Sequence, residues 1–496
     1  ILVEFNRWAY FHIIKSYIAE ALCLKFNAKL IAFESYTIIS EKLLKNPFKI
    51  IIRKIMIFFS LGTYGVYKSF GTTNFIYPEI KDSIYNEKKN LINKLKKKIN
   101  TKSKLLDLKI NNIYVGDLFY DTYLKVYKKS TIDLKSSLFE TFFTESIILF
   151  FWWHDYIKNN KNKIKSIIVV HSVYTFGLPV RIANYFNIEC YKPSHKNIIK
   201  INKKNPYITN DVINNISYLK NITNNKRNYI YKYSKEQIKN IVKGKSKTGK
   251  NYKNKIRNKL KINNRNYSKK ILVSCHSFAD APHVYGKFFK NDFFEWMHLL
   301  GSISKKNDYV WLIKPHPLTY DQDLVHLKKI IKNYPQMVLI EKKYSNQEVL
   351  NIGIDFALTC FGTISFEYPF MGIKVINFMQ NHPYKNFKFS FTPKNLNQYI
   401  STLNNLKKFH YKFNKKKIYE YYYLKRVFLN VDYMYLNLHP TRDLDGYNLR
   451  EKFFITNFYE QWIKKWSLTK HKKILKNISN FISSSDYFTT NEHLVK

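Results

Sequence analysis

The segment Lys314-Pro315-His316-Pro317 contains a lysine and a histidine, two residue types that bind anions, and the histidine lies between two prolines. The segment directly follows an apolar run at 309–313, which predicts a buried β-strand. The prolines restrict the backbone, so the ammonium and imidazole groups are held at the strand end with little freedom. These groups suit a phosphate ligand, although a rigid turn with a hydrogen-bonded histidine would have the same sequence.

A glycine, a threonine and a glutamate follow a second apolar run, at 355–359. Gly362 permits a tight turn, and Thr363 can cap the helix that is predicted to follow it. The free amides at the start of that helix could hold a phosphate. Glu367 lies one helical turn beyond Thr363, on the same face, where a carboxylate could bind ribose hydroxyls. The alternative is a simple capping pattern with a charged residue on the helix surface.

Two histidines and an aspartate, His276, Asp280 and His283, lie in one short segment after a third apolar run, at 271–275. One of them could serve as the acid–base group of a reaction, or all three are ordinary polar residues of a loop. Their spacing is not that of an established zinc site, so we expect no bound metal.

These segments need a framework that brings them together, and the second half of the chain has an α/β pattern. Predicted strands alternate with predicted helices; the strands are 271–275, 309–313, 338–341, 355–359 and 374–378, and the helices are 292–304, 321–333, 346–351 and 363–370. This alternation predicts a doubly wound parallel sheet. Ligands of such sheets bind at the carboxyl ends of the strands, where all three segments lie.

The first half of the chain also favours an α/β fold, with predicted strands at 30–33 and 167–170 and a long helix at 138–157. We predict four regions. They are an N-terminal α/β domain at 1–195, a Lys/Asn-rich interdomain region with one or two exposed helices at 196–270, a Rossmann-like domain at 271–395, and a helical C-terminal extension at 396–496.

The composition narrows the class of protein. The 496 residues include 84 Lys and Arg against 35 Asp and Glu, a net charge of +49, and 17% of them are aromatic. The aromatic content excludes a disordered chain, and four cysteines without C-x-x-C spacing are typical of buried thiols in a reducing compartment. Lys, Asn, Ile, Tyr and Phe have A+T-rich codons, so a biased genome explains most of the charge; selection for an anionic partner is the alternative.

No run approaches the ~18 apolar residues of a membrane span, so we expect a cytoplasmic protein.

Several other patterns are interpreted as coincidental. Residues 244–250 fit the phosphate-loop pattern G-x-x-x-x-G-K, but Asn251 stands where that loop needs Ser or Thr, and no apolar strand precedes it. The Asp-x-Asp triplets at 321–323 and 443–445 are interpreted as helix-start and turn residues rather than metal ligands. The tyrosines at 419–423 are interpreted as packing or helix-surface residues, because Tyr419 and Tyr423 lie one helical turn apart, rather than as a surface that stacks on bases.

The combination of motifs is more specific than its parts: a strand, Lys-Pro-His-Pro at 314–317, a later strand, then Gly362-Thr363 and Glu367. Over 271–378 the chain resembles the nucleotide-binding domain of GT-B glycosyltransferases, and most of all the bacterial capsule and surface-polysaccharide group that includes the Kdo transferases. It resembles bacterial sialyltransferases and teichoic-acid glycerophosphotransferases more distantly. The segments 116–121 and 171–181 are also similar to N-terminal parts of such proteins.

The resemblance implies a GT-B-like fold in which two Rossmann-like domains face a cleft, with a nucleotide-activated donor held by the second domain. His316 would contact the donor phosphate, and Lys314 would add positive charge. Gly362 and Thr363 would hold the phosphate at the helix start, and Glu367 would bind the ribose. Enzymes of this kind generally need neither a metal nor another cofactor, because amides and basic side chains neutralise the leaving nucleotide.

The resemblance leaves the catalytic base open, because the acidic base motif of the sialyltransferases is missing from the N-terminal half. The candidates on the donor side are Asp280, His283 and His316. The candidates on the acceptor side, which the N-terminal domain would supply, are Asp121 and His171.

We therefore expect an enzyme that moves a sugar from a nucleotide-sugar donor, for example a CMP-linked one, to a surface or capsular polysaccharide. The acceptor would be a glycan or a lipid-linked glycan, and a phosphorylated lipid acceptor would favour peripheral association with the inner face of the cytoplasmic membrane. The alternatives are a CDP-polyol (glycerol) phosphotransferase and a noncatalytic polysaccharide assembly or export factor with the same fold. We expect no nucleic-acid partner.

Overall fold

The computed structural model describes residues 1–6, 9–35, 47–78, 82–194, 197–206, 212, 215–242, 267–316, 319–341, 344, 346–431 and 468–494. The chain forms two compact units. The first unit consists of Ile1–Thr122, Asp133–Ile208 and Phe428–Lys496, and the second of Tyr123–Ile132 and Thr209–Val427.

The described residues contain strands and helices in alternation through most of the chain. The strands are β1 (Leu2–Phe5), β2 (Leu30–Glu34), β3 (Thr72–Ile76), β4 (Lys109–Ile110), β5 (Ile113–Tyr114), β6 (Ser166–Ile168), β7 (Glu189–Pro193), β8 (Ile198–Ile201), β9 (Lys269–Ser274), β10 (Tyr309–Lys314), β11 (Met337–Leu339), β12 (Phe356–Thr359) and β13 (Lys374–Asn377). The α-helices are α1 (Ala9–Phe26), α2 (Pro47–Phe58), α3 (Gly62–Ser69), α4 (Asp82–Lys98), α5 (Lys102–Leu106), α6 (Gly116–Tyr127), α7 (Ser137–Asn160), α8 (Leu178–Tyr185), α9 (Asn224–Val242), α10 (Phe293–Ser304), α11 (Asp321–Lys332), α12 (Asn346–Leu350), α13 (Ile364–Phe370), α14 (Leu396–Asn404), α15 (Lys415–Tyr423) and α16 (Leu468–Ser483).

The first unit is built on a six-stranded sheet in the order β3-β2-β1-β6-β7-β8. All neighbouring strands are parallel except β7 and β8, which are antiparallel. The central strands β1 and β6 are fully buried, as parallel strands covered on both faces must be, whereas the edge strand β3 has exposed residues. Helices α1 and α16 pack in the same core, through Ile18, Leu22, Ile478 and Phe481.

The second unit is built on a five-stranded, fully parallel sheet in the order β11-β10-β9-β12-β13. Val273, Leu312 and Leu358 in its central strands are fully buried. Trp296 of α10 lies in one of the two apolar clusters of this unit and donates a hydrogen bond to the Tyr399 hydroxyl of α14 (3.0 Å). The prediction of an α/β fold with two Rossmann-like sheets is confirmed.

The limits of the units differ from the sequence-based boundaries at 195/196, 270/271 and 395/396. The region 196–270, predicted to hold exposed interdomain helices, contributes α9, whose Ile230 and Ile238 are buried. Arg227 and Tyr231 of α9 bind the buried carboxylate of Glu420 in α15, at 3.5 and 3.0 Å. Helices α14 and α15 therefore belong to the second unit, whereas α16 belongs to the first.

Other expectations can be compared with the described part of the chain. Tyr421, Tyr422 and Tyr423 are buried and so pack in the protein, whereas Tyr419 is only partly buried. Residues 244–250 and 443–445 lie outside the described residues. Within the described ranges, no single helix is long and apolar enough to cross a membrane, and the bent pair Ile50–Phe58 and Gly62–Ser69 passes only by length and composition.

Candidate functional site

The three sequence segments lie at one edge of the second sheet. They follow β9, β10 and β12, which are neighbours in the order β10-β9-β12. Their last residues are in register, since Lys314 pairs with Ser274 and Leu358 with Val273. The chain runs outwards from β9 through β10 on one side and returns to β12 on the other. The reversal between β9 and β12 is the switch point at which parallel sheets bind ligands.

Lys314, the last residue of β10, places a cation at this edge. Its ammonium group is mostly buried, and burial lowers its pKa to about 8, even though the carboxylates of Glu367 and Glu348 favour the charged form. A buried cation gains more from an anionic ligand than an exposed lysine does, because the attraction is less screened by water. Lys314 is therefore suited to bind a phosphate.

Glu367, in α13, is held by several polar partners. The Asn346 amide donates to its Oε2 atom at 2.6 Å, and the Tyr368 hydroxyl donates to Asn346 Oδ1 at 3.4 Å. Burial raises the pKa of Glu367, while hydrogen bonds from Thr363 and Asn346 and the charge of Lys314 oppose the shift. The carboxylate is thus positioned by polar neighbours and can still accept hydrogen bonds from a diol.

Thr363 does not cap α13 as the sequence predicted. Its backbone is already helical (φ −61°, ψ −21°) and it makes no side-chain cap hydrogen bond. An N-cap residue needs an extended backbone to turn its oxygen towards the helix amides. The Thr363 side chain hydrogen-bonds instead to Glu367, one turn later.

Gly362 is required by a close approach. Its amide donates to Thr359 Oγ1 at 3.0 Å, and a Cβ atom on Gly362 would lie 2.8 Å from the same oxygen. His276 Nε2 lies 3.2 Å from Thr359 Oγ1 on the other side. One hydroxyl therefore joins the turn after β12 to the loop after β9.

Two histidines of the site, His276 and His316, have lowered pKa values and are neutral at neutral pH. His276 is stacked on Phe293 (ring centroids 4.7 Å apart), and burial, together with the neighbouring His316, lowers its pKa to about 3. Burial also lowers the pKa of His316, against the attraction of Asp280. Of His276, His316 and Lys314, only the lysine therefore carries a positive charge at neutral pH.

The loop after β9 is fixed by a carboxylate from α11. Asp323 is buried, and its Oδ2 atom accepts hydrogen bonds from Ser277 Oγ (2.7 Å) and from the Phe278 amide (3.1 Å). This use of Asp323 agrees with its interpretation as a structural residue. The described residues hold no group of three or more His, Cys, Asp or Glu side chains that is arranged for a metal ion.

The two acid–base candidates in the loop after β9, Asp280 and His283, differ in their exposure to solvent. Asp280 is exposed, and its charge acts on both His276 and His316. His283 is buried, with its ring next to Phe288 (centroids 6.4 Å apart). Asp280 is thus the more accessible of the two to a reacting hydroxyl.

No sequence motif indicated Arg426 and Asn346, which interact with the carboxylate of Glu367. Arg426 lies in a π-helix, Leu424–Phe428, that continues α15, and its charge lowers the pKa of Glu367. Short π-helical segments are frequent at functional sites. Neither residue belongs to a local motif, so only the packing of α12 and α15 brings them to the site.

In the first unit, the segments 116–121 and 171–181 meet. Arg181 donates to Asp117 Oδ2 (2.6 Å) and to the Tyr114 carbonyl (3.0 Å). Asp121 is buried, and His171 is stacked on Phe176 (centroids 5.8 Å apart). The two acceptor-side candidates are therefore anchored in one packed region.

A buried charged cluster that the sequence did not indicate lies at the carboxyl end of β1. Glu4 accepts a hydrogen bond from the Val170 amide at its carboxylate (2.5 Å) and one from Lys15 Nζ at its carbonyl (2.8 Å). Lys15 also hydrogen-bonds the Tyr67 hydroxyl. Burial raises the pKa of Glu4 and lowers that of Lys15. A single glutamate in the apolar run of β1 was the available sequence signal.

Comparisons with known proteins add a likeness of fold. No protein-family model matches the chain, and no curated protein matches its sequence. Among solved structures, the chain is similar to KpsC, the beta Kdo 2,4 transferase of Thermosulfurimonas dismutans (12% identity, 52% of this chain and 79% of that chain, TM-score 0.33).

Two further solved structures resemble it over most of their length. One is the UDP-GlcNAc 2-epimerase of Neisseria meningitidis bound to UDP-GlcNAc (12% identity, 86% of this chain and 97% of that chain, TM-score 0.26). The other is a glycosyltransferase from Rickettsia africae (10% identity, 92% and 97%, TM-score 0.27). At these identities and TM-scores the likeness supports no conclusion about this chain.

Proposed function

We propose that the second unit binds the nucleotide part of an activated donor, and that the protein is a glycosyltransferase. The observation that carries this proposal is the placement of Lys314 and Glu367 at the carboxyl edge of one parallel sheet, beside its switch point. A nucleotide offers a phosphate to the cation and a ribose diol to the carboxylate, so both buried charges gain a partner from one ligand.

Each residue then has a definite role. Lys314 binds the phosphate that leaves with the nucleotide and stabilises its charge, and neutral His316 donates a hydrogen bond to it. Gly362 lets the ligand approach the backbone after β12, and Glu367 accepts from the ribose hydroxyls. Asp280, the exposed acid of the loop after β9, is our candidate for the general base that removes the acceptor proton.

The proposed substrate class rests on the resemblance of residues 271–378 to the capsule and surface-polysaccharide glycosyltransferases. The donor is a nucleotide-activated sugar, and the acceptor is a hydroxyl of a surface or capsular glycan, free or lipid-linked. The leaving phosphate is neutralised by Lys314 and backbone amides, so the transfer proceeds without a metal ion.

A second candidate function rests on His316. Because burial lowers its pKa, its imidazole is neutral near pH 7 and can accept a proton from an attacking hydroxyl. This arrangement would also suit transfer of a polyol phosphate from a CDP-linked donor. The two reactions differ in their product: the first leaves a glycosidic bond and the second a phosphodiester.

The test is nucleotide binding, measured by the rise in melting temperature and by calorimetry with CMP, CDP, UDP and GDP. We expect one nucleotide to bind the wild type, and Glu367→Ala and His316→Ala each to weaken it about tenfold or more, since a hydrogen bond to a charged group contributes ~1.5–3 kcal/mol. Glu341→Ala, which removes an exposed glutamate of the same unit, is the matched control. Unchanged affinity in both site variants would contradict the proposal.

A further inference from the structure

Helix α2 of the first unit carries an apolar stripe on its outer face. Phe48, Ile51, Ile52, Ile55 and Phe58 are exposed, with 69% of Phe48 and 77% of Phe58 accessible. Their spacing of three and four residues places them along one side of the helix. The stripe continues beyond the helix end with two further exposed apolar residues, Phe59 and Leu61.

The opposite face of α2 is packed, so the orientation of the helix is fixed. Arg53 points inwards, where it pairs with Glu34 (3.3 Å) and lies over the Tyr77 ring (4.4 Å). Met56 and Ile57 pack against the core of the first unit. The helix therefore directs its arginine towards the protein and its isoleucines and phenylalanines towards solvent, the reverse of an ordinary surface helix.

The end of the helix is also held in place. Lys68 of α3 donates to the Ile57 carbonyl at 2.5 Å, and the Leu61 amide donates to the Met56 carbonyl at 2.8 Å. Tyr64 and Tyr67 of α3 are buried in the core of the same unit. Helix α3 is thus part of the folded unit, and α2 lies along its surface.

The charged residues within the sequence of α2 and α3 have one sign. Between residues 47 and 77 the sequence contains Lys49, Arg53, Lys54 and Lys68 but no aspartate or glutamate. A helix of twelve residues with an aliphatic and aromatic face and basic neighbours is typical of helices that lie in the interface of an anionic membrane. Lys54 is exposed next to the stripe, and anionic headgroups attract lysines in such positions.

We propose that α2 docks the first unit on the surface of an anionic phospholipid bilayer. The stripe from Phe48 to Phe59 inserts among the acyl chains near the headgroups, and Lys54 remains at headgroup level. This inference concerns the first unit and does not depend on nucleotide binding by the second. Failure of either proposal therefore leaves the other untouched.

The test is flotation of the full chain with vesicles of phosphatidylglycerol and phosphatidylcholine, compared with vesicles of phosphatidylcholine alone. We expect the wild type to bind the anionic vesicles, and Ile52→Glu/Phe58→Glu to reduce partitioning more than about tenfold, since it places charge where apolar area should be buried. Leu24→Glu is the matched control, because Leu24 is an exposed apolar residue of α1 in the same unit (68% accessible).

A second readout separates insertion from adsorption through the net charge. In a Phe58→Trp variant, we expect the emission of the introduced indole to shift to the blue and to be quenched by brominated lipid. Binding of the double variant equal to that of the control, or an indole emission that does not change when the Phe58→Trp variant binds vesicles, would overturn the proposal. So would absence of vesicle binding together with a dimer, in sedimentation velocity, that the double substitution dissociates, because the stripe would then be an interface between two copies.

Discussion

The affinity of the second unit for its nucleotide should fall as the pH rises through 8. Burial lowers the pKa of Lys314 to about 8, and the groups that act on it with opposite charge are Glu367 from α13 and Glu348 from α12. Burial also lowers the pKa of His316, so this imidazole is neutral throughout the alkaline range. Lys314 is then about nine-tenths protonated at pH 7 and about one-tenth protonated at pH 9.

The expected change follows from that fraction. A bound phosphate raises the pKa of Lys314 in the complex, so the affinity tracks the protonated fraction of the free protein. The affinity should fall about tenfold between pH 7 and pH 9, equivalent to ~1.4 kcal/mol. The sign for folding is opposite. Because the unfolded chain holds this proton up to a higher pH, the contribution of Lys314 to the stability of the unit rises between pH 8 and its ordinary pKa.

The assay is titration calorimetry with the nucleotide identified by the melting screen, at pH 7, 8 and 9 and constant ionic strength. Lys314→Arg keeps the charge across this range, because arginine stays protonated, and should bind with little pH dependence. Lys314→Met should bind weakly at every pH. A flat profile for the wild type, or the same fall in Lys314→Met as in the wild type, would refute the role given to Lys314.

Two further predictions concern the framework of the site. Gly362→Ala should lower the stability of the second unit by about 1–3 kcal/mol in chemical denaturation, because its Cβ atom would lie 2.8 Å from Thr359 Oγ1. If Gly362→Ala lowers stability by the same amount in a Thr359→Ala background, this contact is not the cause. Asp323→Ala should lower the free energy of unfolding by about 2–3 kcal/mol, because two buried donors of the loop after β9 lose their acceptor. Asp321→Ala, on the exposed face of the same helix, should change it by less than about 0.5 kcal/mol. Equal effects of the two substitutions would contradict the structural role of Asp323.

The strands of the second sheet could be predicted because each is a short, continuous apolar run. The predicted strand at 309–313 is β10, and the one at 355–359 is β12 with one residue fewer. Such runs are long enough for a buried parallel strand and too short for a buried helix. Because parallel strands end at a common edge, the alternation of strands and helices along the sequence predicts that Lys314 and Gly362 lie at the same edge of the sheet.

The partners of the site residues could not be predicted, because they depend on packing between distant segments. Asn346 and Arg426 reach Glu367 from α12 and from the π-helix after α15. The Thr363 pattern failed for a local reason: threonine before a helix suits both a cap and a first helical turn, and the backbone angle decides between them. Helix α9 was taken as exposed because lysine and asparagine dominate its sequence, yet its few isoleucines suffice to bury one face.

The position of α16 has a consequence for the synthesis of this protein. Ile478 and Phe481 of α16 share a core with Ile18 and Leu22 of α1, and the Ile198 amide of β8 donates to Thr489 Oγ1 at 2.8 Å. Helix α1 can therefore complete its core only after α16, which follows it by most of the given sequence, has been synthesised, on the order of tens of seconds later at ordinary rates of translation. The second unit, whose sheet comes from one continuous stretch, can fold in that interval. A nascent chain that stops before α16 would expose the apolar face of α1, which is the kind of surface that chaperones bind.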